Sequence, residues 1–175
     1  MWLWSEIPTV RAMTRIKVRL QTELPADRVL FAAYDMSPRR IEVFPAVRAE
    51  HFTVHDRGTH SADVTEGTPA GIGINWERCS YDWSQPDRVV ATVTDSNVYA
   101  TPGSVWELIA VPGERGTAVE MIWTRRFRRT GRGIVFGTLF RTVGPLVFRG
   151  YARTTLRNIE RLEAGSTAAE RTSSP

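Results

Sequence analysis

Residues 117–164 read TAVEMIWTRRFRRTGRGIVFGTLFRTVGPLVFRGYARTTLRNIERLEA, and this stretch decides the fold. In its first part, 117–127, alternate side chains are apolar, which is typical of a strand with one buried face. From Ile134 to Leu162 the apolar residues instead recur at helical spacing, and Gly144-Pro145 predicts a kink or break there. A helix this long needs a large apolar surface to cover, so the strands before it are expected to form one curved sheet.

The chain before residue 117 supplies those strands. We predict a first strand at Thr14–Leu24 and then two short helices, Asp27–Tyr34 and Ser37–Phe44. The further strands are His51–Arg57, Thr59–Glu66, Ile72–Trp83, Arg88–Val98, Ser104–Val111 and Thr117–Phe127. The connections between these later strands are short, which favours antiparallel pairing in a seven-stranded sheet.

Three neighbouring motifs carry a family resemblance. The strand containing Trp106-Glu-Leu, the turn Pro112-Gly-Glu-Arg-Gly116-Thr117 and the strand with Val119, Met121 and Trp123 precede the long helix. In this order they resemble the START-like SRPBCC superfamily, in its polyketide cyclase/dehydrase branch, over about residues 14–164. The resemblance implies an α+β helix-grip fold. In that fold a curved seven-stranded antiparallel sheet surrounds a long C-terminal helix, two short helices follow strand 1, and a hydrophobic pocket lies between.

Length and composition predict one domain. The chain has 175 residues, 42% of them hydrophobic, which is enough for a single core. We assign residues 1–13 to an N-terminal extension, residues 14–164 to a START-like SRPBCC domain, and residues 165–175 to a disordered tail. The tail is small and polar and lacks apolar periodicity.

The charge is distributed unevenly along the chain. Residues 1–124 hold 12 basic and 16 acidic side chains, whereas residues 125–175 hold 11 basic and 3 acidic ones. The basic side chains could form a solvated outer face, or they could contact an anionic membrane surface. The arginines expected to make such a membrane contact are Arg126, Arg128, Arg129 and Arg132. Nucleic acid is a less favoured partner, because we find no RNA-recognition motif.

One cysteine and no secretory segment point to a reducing cytoplasm. Cys79 has no second cysteine to pair with, and we expect it to be a buried structural thiol. The three histidines, His51, His55 and His60, fall in one hairpin without a carboxylate ligand set, so no metal site is predicted. No cofactor is predicted either.

Arg125 is the most unusual residue of the predicted interior. It shares a strand face with Met121 and Trp123, and a buried guanidinium needs an internal carboxylate, an anionic ligand or access to the pocket mouth. Asp95 is a candidate partner, because simple alternation puts it on the same face as Val93. The alternative is that Asp95 and its polar neighbours lie at a solvated strand end.

A pocket lined by aromatic side chains and a few polar groups is typical of small-molecule sites. A packed core would use the same aromatics. The candidate ligand-binding residues are Trp76, Tyr81, Asn97, Tyr99, Trp106, Met121, Trp123, Arg125, Phe136 and Phe140.

Three functional classes follow from these features. The favoured one is binding of a hydrophobic or amphipathic small molecule, such as a lipid, polyketide or isoprenoid. The alternative is a cyclase or dehydrase using the same pocket, in which Arg125 polarises a carbonyl and Asp95 or Tyr99 handles protons. The third is an interaction protein that uses its basic C-terminal helix. The sequence contains no strong catalytic constellation, so binding is preferred over catalysis and the oligomeric state stays open.

Overall fold

The computed structural model describes residues 13–69 and 73–172. The strands are β1 (Thr14–Thr22), β2 (Phe52–Arg57), β3 (Ser61–Pro69), β4 (Ile74–Asp82), β5 (Arg88–Ser96), β6 (Val105–Gly113) and β7 (Gly116–Arg125). The helices are α1 (Ala26–Tyr34), α2 (Arg40–Val43), α3 (Gly131–Thr142) and α4 (Gly144–Thr172), and a single 3-10 turn spans Ala49–His51. Residues 1–12, which make up most of the predicted N-terminal extension, lie outside the described residues.

The seven strands form one antiparallel sheet in the order β1-β7-β6-β5-β4-β3-β2. Neighbours from β2 to β7 are joined by short connections, as the sequence predicts. The exception is β1, which pairs with β7, so that the first strand lies beside the last and Ile16 faces Trp123 across the ladder. The predicted α+β architecture, with two short helices after β1 and a helical C-terminal segment, is confirmed.

The helices cover the inner face of the sheet. Helix α4 contacts β1, α1 and α2, and it buries Ala152, Leu156 and Ile159 in the core. Helix α2 is shorter than predicted, because only Arg40–Val43 is α-helical after a turn that begins at Ser37.

The predicted break near Gly144-Pro145 is confirmed, because α3 ends before Val143 and α4 begins at Gly144. Pro145 then lies in the first turn of α4, where a missing backbone N–H leaves no hydrogen bond unmade. Gly144 is buried, and a Cβ there would lie 2.9 Å from Ile16 Cδ1. The break thus lets the helical segment change direction where it packs closely on β1.

The expectation of a disordered tail from Gly165 disagrees with the structure, in which α4 continues to Thr172. A helix that already exists is extended at little cost, because only its first turn is expensive to form. Residues 168–171 also include alanine and glutamate, which have high helix propensity. The last three residues lie outside the described part of the chain.

Candidate functional site

A cavity of about 390 Å³ lies between the sheet and the α3–α4 segment. Its walls are mainly apolar, and the α3–α4 segment supplies much of them. The apolar lining residues are Ala46, Val47, Trp123, Phe127, Phe136, Leu139, Phe140, Val143, Val147 and Phe148. Aromatic rings pack against each other along this wall in tilted and edge-to-face arrangements, with ring centroids 4.8 Å apart between Trp123 and Phe148 and 5.0 Å apart between Phe140 and Phe148. Such a space suits an apolar molecule of small to moderate size.

Polar groups also enter the cavity, from the inner face of β3, β4 and β7. Glu66 and Glu77 stand directly opposite each other on the β3–β4 ladder, and both line the cavity. Two carboxylates facing each other would repel, so each needs a neutralising partner. Arg40 pairs with Glu66, and Arg125 pairs with Glu77.

Arg40 is a buried arginine with a full set of partners. Its side chain is 2% exposed, and its Nε donates to Glu66 Oε1. Nη1 donates to the Ala33 carbonyl oxygen at 3.0 Å, and Nη2 donates to the Tyr81 hydroxyl at 2.7 Å. Each guanidinium nitrogen therefore has a hydrogen bond within the protein, which is what a structural buried ion pair requires.

Arg125 differs from Arg40 although its side chain is only 4% exposed. Its Nη2 lies 3.4 and 3.3 Å from the two carboxylate oxygens of Glu77, and its Cζ lies 4.7 Å from the centre of the Tyr99 ring. Its Nε and Nη1 are buried and have no hydrogen-bond partner among the described residues. Buried donors without partners are costly, so these two N–H groups are suited to an oxygen atom of a bound molecule.

Burial shifts the titration of the groups around Arg125. It raises the pKa of Glu77 above its ordinary value, and the positive charge of Arg125 opposes this shift only in part. Burial likewise raises the pKa of Tyr99, so its phenol keeps its proton at neutral pH. Tyr99 can therefore donate a hydrogen bond but is a poor base, whereas Glu77 is the carboxyl nearest to Arg125 that could exchange a proton.

The candidate Asp95–Arg125 pair does not form, and Asp95 is solvated, in agreement with the other interpretation of this strand end. Asp95 accepts a hydrogen bond from Arg128 at 3.1 Å, and its side chain is 57% exposed. The cause is a β-bulge, because Arg78 pairs with Asp95 while the next residue, Cys79, pairs with Val93. One additional residue in β5 reverses the alternation of its side chains, which moves Asp95 to the outer face.

The other candidate residues are distributed over the cavity, the core and the outer face. Tyr99, Trp123, Arg125, Phe136 and Phe140 line the cavity. Tyr81 and Trp106 line a smaller space of about 50 Å³ that shares Glu66, Glu77 and Arg125 with it.

Three candidates do not line either space. Met121 is fully buried in the core. Trp76 alternates with Asn75 and Glu77, which line the cavity, so its side chain points to the opposite face of β4. The Asn97 side chain is used structurally: it accepts from the Trp76 N–H at 3.1 Å and donates to the Ile74 carbonyl oxygen at 2.8 Å.

Several site residues were missed by the sequence reasoning. Glu77 alternates with Cys79 and Tyr81, which are buried, so the period of the strand already placed its carboxylate inward. On β3, Glu66 likewise continues the alternate positions at which Ala62 and Val64 are buried, so its side chain is also directed inward. The pairing of Arg40 with Glu66 has no comparable signal, since it joins a short helix to a distant strand.

The arginine cluster after β7 is largely engaged within the chain. Arg126 donates to the Pro102 carbonyl oxygen at 2.7 Å, Arg128 donates to Tyr99 O and Asp95, and Arg132 donates to Ile74 O. Arg129 is exposed. These contacts tie the loop between β7 and α3 to the ends of β4 and β5, beside the cavity.

Cys79 is buried and unpaired, as expected, and burial raises the pKa of its thiol well above the usual value. Within residues 13–69 and 73–172, no group of three or more His, Cys, Asp or Glu side chains could hold a metal ion. Across the same residues, the helices are too short or too polar to cross a bilayer.

Comparison with known proteins gives a structural answer only. No protein-family model matches the sequence, and no curated protein matches it. Among solved structures, the Zhui aromatase/cyclase from Streptomyces sp. R1128 superposes with a TM-score of 0.68 at 13% identity, over 86% of this chain and 96% of that one. The major latex-like protein 151 of Panax ginseng gives 0.62 at 10% identity, over 85% and 96%. A START superfamily protein from Mycobacterium smegmatis gives 0.59 at 10% identity, over 86% and 98%.

These likenesses confirm the predicted START-like helix-grip fold. They cover most of this chain and nearly the whole of each of the three structures. At such low identity they establish the fold alone, so the chemistry must be argued from the cavity.

Proposed function

We propose that this protein binds an amphipathic small molecule whose apolar body fills the cavity and whose oxygen-bearing end meets Arg125. The observation that carries this proposal is the buried guanidinium of Arg125, with two N–H groups that lack partners among the described residues. The apolar body would be of lipid, polyketide or isoprenoid type, which matches the aromatic and aliphatic walls. A cytoplasmic location belongs to the same proposal and is supported by the single reduced cysteine.

The polar end of the ligand is restricted by the groups around Arg125. Glu77 lies 3.3 Å from Arg125 and, when ionised, offsets part of its charge, so a ligand oxygen need not be fully ionised. A carboxylate or carbonyl oxygen accepts well from the free Nε and Nη1, whereas a hydrocarbon would leave both N–H groups unpaired. We therefore expect a fatty-acid-like or keto compound to bind better than a matched hydrocarbon.

Dodecanoic acid and dodecanol are suitable probes, because they share one apolar body and differ in their polar end. Isothermal titration should give a higher affinity for the acid. Replacing Arg125 by Met should weaken acid binding by about tenfold or more, which corresponds to the loss of about 1.4 kcal/mol from charge-assisted hydrogen bonds. The same change should affect the alcohol less. Arg115→Met, an equal change in the exposed β6–β7 turn, should leave both affinities unchanged.

The outcome distinguishes binding of the probes in the cavity from nonspecific binding at the protein surface. If neither probe binds, or if the Arg115→Met variant loses as much affinity as Arg125→Met, the proposed binding mode is wrong. Native mass spectrometry of the purified protein, followed by solvent extraction, would identify any small molecule that it already carries.

A cyclase or dehydrase activity in the same cavity is the second candidate. It is favoured by the carboxyl of Glu77, whose pKa is raised by burial and which lies beside Arg125. In such a reaction Glu77 would take a proton from the carbon next to a ketone, and Arg125 would stabilise the oxygen anion as that carbon adds to a second carbonyl group. The proton would then return to the new alkoxide. Turnover should therefore be lost in both Glu77→Gln and Arg125→Met, while binding of an uncharged probe survives.

An interaction through the basic C-terminal helix is a third possibility. Arg149, Arg153 and Arg157 are exposed along α4, and a partner bound through them would dissociate as salt is added. A membrane contact made by Arg126, Arg128, Arg129 and Arg132 has less support, because three of these side chains are bonded within the chain.

A further inference from the structure

Helix α3 presents large apolar side chains to solvent as well as to the core, alongside the exposed Thr138, Arg141 and Thr142. Its inner side buries Gly137 and Phe140, while Ile134 and Val135 on its outer side are 62% and 49% exposed. A surface helix usually presents polar residues to water. The outer face of α3 is therefore expected to have a partner other than water.

The exposed apolar surface continues past the helix break. Leu146 and Val147 in the first turns of α4 are 76% and 58% exposed. We name this surface the α3–α4 corner; its residues are Ile134, Val135, Leu139, Val143, Leu146 and Val147. Six large aliphatic side chains exposed at one corner are more than the scattered apolar residues that a protein surface normally shows.

The α3–α4 corner also forms the entrance of the cavity. Leu139, Val143 and Val147 are each about half exposed, and the same three side chains line the cavity. A surface that covers this corner would therefore lie directly against the opening through which an apolar ligand enters.

The segment of sequence that contains the corner carries charge of one sign. Between Glu120 and Glu160 the sequence contains nine arginines and no acidic residue. Arg141 is exposed within the stretch 134–147 that holds the corner, and the exposed Arg129, Arg149 and Arg153 flank that stretch in the sequence on both sides. This arrangement is complementary to an anionic surface.

We propose that the α3–α4 corner docks on an anionic lipid bilayer, with its aliphatic side chains in the acyl region and its arginines at the phosphate groups. A protein partner fits less well, because protein interfaces are enriched in aromatic side chains and the corner has only Ile, Leu and Val. The docking goes beyond ligand binding. Passage of the ligand between bilayer and cavity would follow from both proposals together.

Sedimentation with lipid vesicles tests the docking. The full chain should sediment with vesicles of phosphatidylcholine and phosphatidylglycerol at low salt, should be released as salt is added, and should bind pure phosphatidylcholine weakly. Ile134→Gln and Leu146→Gln should each weaken vesicle binding by about tenfold, since each removes one buried aliphatic side chain. Val111→Gln, which changes a similarly exposed aliphatic residue on β6, should have no effect.

A second pair of variants tests the charges. Arg149→Gln and Arg153→Gln should each weaken binding to the anionic vesicles by about fivefold. Arg115→Gln makes the same change of charge in the turn at the opposite end of β7 and should leave binding unchanged.

Three results would overturn the docking proposal. One is that the wild-type chain fails to sediment with anionic vesicles, which would leave a protein partner for the corner. Another is that Val111→Gln loses as much binding as Leu146→Gln. The third is that Leu146→Gln also loses its affinity for dodecanoic acid in solution, since the effect would then act through the cavity. Failure of vesicle binding with intact dodecanoic acid binding would reject the docking and keep the proposed function.

Discussion

Arg40 and Arg125 show how the same residue type serves two purposes in one interior. Both guanidinium groups are buried and both face a carboxylate of the β3–β4 ladder. Arg40 has a hydrogen bond from each nitrogen, whereas Arg125 keeps two N–H groups without partners among the described residues. The first arrangement stabilises the fold, and the second leaves binding capacity at the inner end of the cavity.

This difference predicts unequal losses of stability. Arg40→Met should lower the free energy of unfolding by about 3 to 5 kcal/mol, because Glu66 and the Tyr81 hydroxyl would lose a buried partner. Arg125→Met should cost only about 1 to 2 kcal/mol, since its contacts with Glu77 are long and Glu77 can take up a proton. Urea unfolding of both variants at neutral pH measures the two losses. Equal losses would contradict the distinct roles assigned to the two arginines.

Helices α3 and α4 depend on glycine in different ways. Thr130 caps α3 by accepting a hydrogen bond from the Gly133 N–H at 3.1 Å. A Cβ on Gly133 would lie 2.1 Å from the Arg128 carbonyl oxygen, so the helix can begin here only because this residue has no side chain. Gly150 in α4 has nothing within 4 Å of the corresponding position.

Alanine at these two positions should therefore have opposite effects. Gly150→Ala should raise the free energy of unfolding by about 0.5 to 1 kcal/mol, because alanine loses less backbone entropy in a helix. Gly133→Ala should lower it by about 1 to 3 kcal/mol or more, because the start of α3 would have to move away from the preceding loop. Thermal and urea unfolding measure both changes. Stabilisation by Gly133→Ala would show that the contact with Arg128 does not restrict the helix.

At the scale of the whole molecule, the curved sheet and the broken helix enclose a space that side chains do not fill. The pairing of β1 with β7 brings Ile16 against Gly144, which fixes where the break lies relative to the sheet. The cavity opens beside this break, and its polar end lies where β3, β4 and β7 present Glu66, Glu77 and Arg125. Cavity, entrance and polar end are therefore products of the complete fold.

The buried carboxyl of Glu77 makes stability depend on pH in a specific direction. Its pKa in the folded protein is raised above the ordinary value of about 4.5, so the folded state binds this proton more tightly than the unfolded state. The contribution of Glu77 to stability is then lost as the pH rises from the unfolded pKa through the folded pKa. Glu77→Gln removes this titration.

The free energy of unfolding of the wild type minus that of Glu77→Gln should therefore decrease as the pH rises above about 4.5. Urea unfolding of both proteins at a series of pH values measures it, and the carboxyl groups that do not interact with Glu77 cancel in the comparison. An increase of the difference with pH would mean that Arg125 outweighs burial and lowers the pKa of Glu77 in the folded state.

Much of the architecture could be predicted from the sequence, because strand alternation and helical spacing are local patterns. The seven strands, the order of the elements and the break at Gly144-Pro145 follow from them, and so does the inward direction of Arg125. The partner of Arg125 could not be predicted from these patterns, because a bulge in β5 shifts the alternation by one residue and the local sequence gives no sign of it. Asp95 was therefore considered as a possible partner, whereas Glu77 was not.

The sequence by itself determined the class of fold and the presence of a buried arginine in an apolar face, because periodicity and composition set which side chains leave water. Only the tertiary structure decided which carboxylate each buried arginine meets, where the cavity opens and which apolar side chains of α3 are exposed to solvent. These properties arise from contacts between residues far apart in the chain, such as Arg40 with Glu66 and Arg125 with Glu77. Their geometry exists only after the sheet has curved and its first and last strands have paired.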